Sequence, residues 1–115
     1  MAVNLPNVLF QFDSADLTSD GRDRVNRIAT TLKSHAAGRK ISVEGHASRE
    51  RVDQEAYNQD LSERRARAVA SGLEKNGIDR NRVVARGFGT RFPVASNETD
   101  DGRRKNRRVE VVIEN

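Results

Sequence analysis

At 115 residues, with 35% hydrophobic and 33% charged side chains, the chain has the length of one domain and enough apolar material for one modest core. The lack of cysteine excludes a disulfide framework and a thiolate metal site, and no apolar run approaches the roughly 20 residues that a membrane-spanning helix needs. A net charge of +4 invites a polyanionic partner, yet none of the four Phe or the single Tyr lies inside the basic clusters at 64–67 and 103–108, so nucleic acid is not the expected ligand.

Residues 1–6 read as a linker start, with no signal peptide; any export signal or anchor is expected upstream. In Val8-Leu9-Phe10-Gln11-Phe12 the side chains of Val8, Phe10 and Phe12 alternate onto one face, predicting a first strand, and Asp13-Ser14-Ala15-Asp16 predicts a turn. Thr18 is placed to cap a helix running to about residue 36, with Asp20 in the first turn, where the helix dipole favours an acid. Val25, Ile28, Ala29 and Leu32 repeat at helical spacing, so one stripe is expected to be buried, and Gly38 ends the element. Ile41-Ser42-Val43-Glu44-Gly45 alternates as a second strand, followed by a polar loop over 46–55. A second helix is predicted from about 57 to 76, stopped by Asn76-Gly77. Residues 82–87 form a third predicted strand, and 88–107 a long loop with a short helical turn near Thr99. The last predicted strand, 108–114, places Val109, Val111 and Ile113 on one face. The order β-α-β-α-β-β predicts a single α/β (α+β) sandwich over 1–115, one sheet with helices packed against it. Its first crossover is expected to be right-handed if its strands pair in parallel.

One residue breaks the pattern. On the second helix Leu61, Ala68, Val69, Gly72 and Leu73 define an apolar stripe, and Arg65 falls in the middle of it while Arg64 and Arg67 point away. A guanidinium on a buried face is costly unless it is paired or reaches an opening. Two compatible readings remain open. One is an internal salt bridge, for instance to Glu44 or Asp13; the other is a rigid planar fork on a pocket wall that receives a carboxylate.

The segments Ile41-Ser42-Val43-Glu44-Gly45-His46-Ala47 and Tyr57-Asn58-Gln59-Asp60-Leu61-Ser62-Glu63-Arg64-Arg65-Ala66-Arg67-Ala68-Val69 resemble the OmpA C-terminal family, which includes Pal and MotB. Phe10-Gln11-Phe12-Asp13, Gly87-Phe88-Gly89 and Gly102-Arg103-Arg104-Lys105-Asn106-Arg107-Arg108-Val109-Glu110 match it in order, so the resemblance covers nearly the whole chain. It implies a mixed four-stranded sheet with helices packed on one face, and a groove that binds peptidoglycan non-covalently through the diaminopimelate of its stem peptide. It also implies a periplasmic or outer-membrane-associated place in a bacterial envelope, with membrane contact only through an anchor on a parent protein. By resemblance Arg65 faces the ligand carboxylate, Asn58 and Arg107 hydrogen-bond the ligand, Phe12 and Asp13 lie beside the pocket, and Leu61 adds apolar contact.

The departure is at Gly45-His46-Ala47-Ser48, where the family carries an aspartate facing the ligand's ammonium in the place of Ser48. Ser48 supplies at best a neutral hydrogen bond. The loop to Asn58 is two residues longer than the family pattern, and Glu50, Asp53 and Glu55 within it are candidate replacement acids. The alternative function is a scaffold or protein-interaction domain whose peptidoglycan binding is lost or altered. His46 and His35 build no catalytic triad or zinc site, and Gly87-Phe88-Gly89 lacks the rest of a phosphate loop. No enzymatic activity, metal or cofactor is expected, and the oligomeric state is left open.

Overall fold

The two strands richest in inward-facing branched residues form the middle of the sheet. In the computed structural model, which describes residues 2–49 and 54–114, β1 (Ala2–Pro6), β2 (Ile41–His46), β3 (Val83–Gly87) and β4 (Arg108–Ile113) lie in the order β1-β4-β2-β3. The central strand β4 is antiparallel to both β1 and β2, and β2 is parallel to β3. Helices α1 (Ser19–His35) and α2 (Glu55–Lys75) bury one face of the sheet, and the short α3 (Asp100–Asn106) leads into β4. Leu5, Ile41, Val43, Val109, Val111 and Ile113 form the core with Val25, Ile28, Leu32, Val69 and Leu73 of the two helices. The alternate residues turn to the other face, where Ser42 Oγ donates to Glu44 Oε2 at 2.8 Å and Arg108 Nε to Glu110 Oε2 at 2.7 Å.

Local signals explain the helix ends. The Thr18 hydroxyl accepts from the Gly21 amide at 2.9 Å and starts α1, and Thr99 does the same for Gly102 at the start of α3. Gly38 sits at φ 78 after α1, where an L side chain would be strained.

Two expectations are corrected, and the condition attached to a third is not met. The alternation over 8–12 does not form a strand. Asn7–Leu9 is a 3₁₀ turn, Val8 and Phe12 are 74% and 86% exposed, and Phe10 alone is buried, bridging to Leu17. The strand lies earlier, in residues read as a linker, because Leu5 and Val3 fill the edge beside β4 and Pro6 is tolerated at an edge-strand end. The first crossover does not join paired strands, since β4 separates β1 from β2; the parallel pair is β2 and β3, spanned by α2. The buried stripe of α2 also includes Ser62 and Ala66, with Ala68 and Gly72 only half-buried.

The position of α2 depends on two glycines that are register partners, Gly45 on β2 and Gly87 on β3. A Cβ at Gly45 would stand 2.0 Å from the Ser62 carbonyl oxygen, and one at Gly87 would stand 2.6 Å from the Glu63 amide nitrogen. Only glycine lets the helix backbone lie this close to the sheet, and that approach carries Leu61 and Arg65 over the end of β2.

Candidate functional site

Where β2 ends, four pieces of chain converge around a cavity of about 800 Å³: residues 7–13, residues 46–48, the first three turns of α2, and Arg107 before β4. Phe12, Asp13, Ser48, Asn58, Leu61, Arg65 and Arg107 all line it. Seven residues singled out in the sequence are therefore brought together.

Arg65 is the most buried charge lining the cavity, only 6% exposed. Its Nε donates to the Ser14 carbonyl at 2.8 Å, its Nη1 to Asn7 Oδ1 at 2.6 Å, and its Cζ stands 4.8 Å from the centre of the Phe10 ring. Neither acid considered from sequence forms an ion pair with it. Glu44 accepts from Ser42, and Asp13 accepts from the Tyr57 hydroxyl. Burial pulls the Arg65 pKa below the ordinary guanidinium value, Asp13 and Tyr57 pull it back up, and Arg107 and Arg64 lower it further. Nη2 makes no hydrogen bond among the described residues. The only fully buried, unpartnered side-chain polar atoms among them are the two ring nitrogens of His46, so Nη2 is not sealed from the cavity. Two edges of the fork hold the 7–14 segment onto α2 and the third is open.

Around this fork the neutral groups are preset. Ser48 is 4% exposed and its hydroxyl accepts from Arg107 Nη1 at 3.1 Å. The Asn58 amide points at the Ser48 carbonyl across a long 3.5 Å contact. Asp13 is the acid that lines the cavity among the described residues, held at φ 51, a left-handed conformation that Asp tolerates. Glu55 corrects an expectation: it accepts from Thr90 Oγ1 at 3.0 and 2.8 Å and pairs with Arg49 at 3.3 Å, so it is tied to the loop after β3 and does not line the cavity. Glu50 and Asp53 lie outside the described residues.

Sequence reasoning missed Tyr57 and Asn7. Tyr57 was legible, since it stands one helical turn before Leu61 and two before Arg65. Asn7 was not, because it reaches Arg65 across 58 positions of chain. His46 was discounted as catalytic and packs as an aromatic, its ring centre 5.4 Å from Phe88 in a stack and 6.4 Å from Phe92 edge-on. Burial, reinforced by Arg108 and opposed by Glu110, lowers its pKa to about 4, so the 3.7 Å approach of Nε2 to Glu110 is not an ion pair at neutral pH. Among the described residues no group of three or more His, Asp or Glu side chains is placed to hold a metal ion.

Residues 9–107 match the OmpA family model, a stretch that includes every cavity residue named above except Asn7. The chain belongs to the OmpA family. Outer membrane protein A of Bordetella avium is 38% identical over 107 residues, covering 93% of this chain and 54% of that protein. The peptidoglycan-binding protein ArfA of Mycobacterium tuberculosis is 35% identical over 106 residues, covering 92% of this chain and 32% of that one. The cell wall anchor of the T6SS from Pseudomonas aeruginosa aligns in three dimensions with a TM-score of 0.85 at 32% identity, covering 97% of this chain and 79% of that one. The chain thus spans about half or less of the length of these two curated relatives. The mixed sheet with its three helices is the OmpA-like fold, and the cavity lies at the end of β2 and the start of α2.

Proposed function

We propose that the cavity binds peptidoglycan non-covalently, through the diaminopimelate of a stem peptide, and tethers its parent protein to the wall in a bacterial periplasm or outer membrane. The reading is one of binding and not of catalysis. The observation that carries it is the Arg65 fork, held rigid by two internal hydrogen bonds with Nη2 left to a cavity that the other six residues share. In this reading Arg65 and Arg107 receive the ligand carboxylate and Asp13 receives the ammonium, the role that Ser48 cannot fill. Asn58 and Ser48 add neutral hydrogen bonds, and Leu61 and Phe12 pack on the methylene chain. The names of ArfA and of the type-VI anchor support wall binding for the family members that carry them. No helix among the described residues is long and apolar enough to cross a membrane.

A second reading, a scaffold or protein-contact domain with altered wall binding, is favoured by one observation: the buried position opposite Arg107 is the neutral Ser48. Titration with purified muropeptides separates the two. Binding to diaminopimelate-containing muropeptides that weakens in Asp13→Ala and strengthens in Ser48→Asp supports the clamp. Absence of binding to muropeptides and to whole sacculi supports the scaffold. Retention that fades steeply with salt and ignores Arg65→Lys would indicate diffuse charge attraction instead.

A further inference from the structure

A second concavity, of about 520 Å³, lies between the edge strand β1 and the end of α3. Arg107 lines both it and the first cavity, so the two adjoin at that residue. Its lining holds Arg104, Lys105, Arg107 and the buried, internally bonded Arg108 against a single carboxylate, Glu110. That carboxylate is committed to Arg108 at 2.7 Å. Arg104 reaches Asp101 at 2.9 Å, but both side chains are largely exposed, and such pairs hold their partners weakly. Lys105 takes part in no hydrogen bond or ion pair among the described residues. The apolar part of the lining includes Pro6 and Val94, which is 62% exposed.

We infer that this groove is a second subsite, which takes the carboxylate-bearing continuation of the peptide held in the first cavity. The inference rests on the peptidoglycan reading. There, such a continuation is the second stem of a cross-linked pair, a short alanine-rich peptide with free carboxylates. Its methyl groups match Pro6 and Val94, and its carboxylates match Lys105 and Arg104. The occupant is taken to be the same polymer and not an unrelated acidic protein, because Arg107 lines both concavities and so places the groove beside the first cavity.

The test compares a single-stem muropeptide with its cross-linked dimer by calorimetric titration, on the wild-type chain and on Arg104→Glu/Lys105→Glu. Neither substituted residue lines the first cavity. The wild type is expected to bind the dimer about tenfold tighter than the monomer, well above the statistical advantage of two stems. In the double variant that preference is expected to vanish while monomer affinity stays within about twofold. Equal affinity for the two fragments in the wild type, or an undiminished preference in the double variant, overturns the subsite and leaves the first cavity's role intact. If neither fragment binds, the peptidoglycan reading and the subsite fall together.

Discussion

Replacing Arg65 with alanine perturbs two things at once, and the structure allows them to be separated. Folding loses two charge-assisted hydrogen bonds, to Ser14 and Asn7, each worth about 1.5–3 kcal/mol, and a ring contact with Phe10 worth about 0.5–2 kcal/mol. Against this, the variant no longer buries a guanidinium, a relief of several kcal/mol. The net expectation is a destabilisation of roughly 2 kcal/mol, or a fall in Tm of about 8 °C for a domain of this size, which leaves the chain folded. Ligand binding loses the open edge of the fork, expected to cost about 2 kcal/mol, close to thirtyfold in Kd. Asn7→Ala is the control for the structural part. It removes the Nη1 partner and keeps the fork, so stability is expected to fall by about 1 kcal/mol with only a few-fold change in Kd. Circular dichroism melts and calorimetric titration with a diaminopimelate-containing muropeptide read both effects. The reasoning is refuted if folded Arg65→Ala binds within threefold of wild type, or if Asn7→Ala loses as much affinity as Arg65→Ala.

Other outcomes follow from the same geometry. The folded-state pKa of His46, about 4, lies below its unfolded value near 6.5. The unfolded chain therefore takes up a proton first as pH falls, and stability of about 3 kcal/mol is present above pH 6.5 and lost between 6.5 and 4. Denaturant midpoints across that range should show the loss, and His46→Phe should flatten it; a wild-type midpoint constant from pH 7 to 4 would contradict the burial argument. Gly45→Ala should destabilise by about 3 kcal/mol or prevent folding, because its Cβ meets a helix carbonyl that cannot move alone; a midpoint within error of wild type would show that α2 shifts freely. Tyr57 donates to Asp13, which raises the phenol pKa above its ordinary value, so ultraviolet titration should place the wild-type transition higher than that of Asp13→Ala.

Much of the fold was legible from short-range chemistry. The Thr18 cap with Val25, Ile28, Ala29 and Leu32 defines α1, and the alternation in β2 and β4 places Ile41, Val43, Val109, Val111 and Ile113 in the core. The same periodicity put Arg65 on the buried side of α2, and the resemblance attached a carboxylate to it. The first strand was misplaced for a physical reason. Val8, Phe10 and Phe12 make a clearer local alternation than Ala2–Pro6, but a strand is stabilised by its partner, and the open edge of β4 takes the earlier segment.

Sequence by itself determined which residues prefer helix or strand, which face of each is apolar, and that one cation sits on an apolar face. These follow from the chemistry of neighbours a few positions apart. Tertiary structure alone decided the sheet order, the partners of that cation, and that Glu55 is drawn away from its cavity. Asn7 and Ser14 meet Arg65, and Thr90 withdraws Glu55, across spans of 35 to 58 positions. No periodicity encodes such pairings; they depend on the close approach of α2 to the sheet that Gly45 and Gly87 allow.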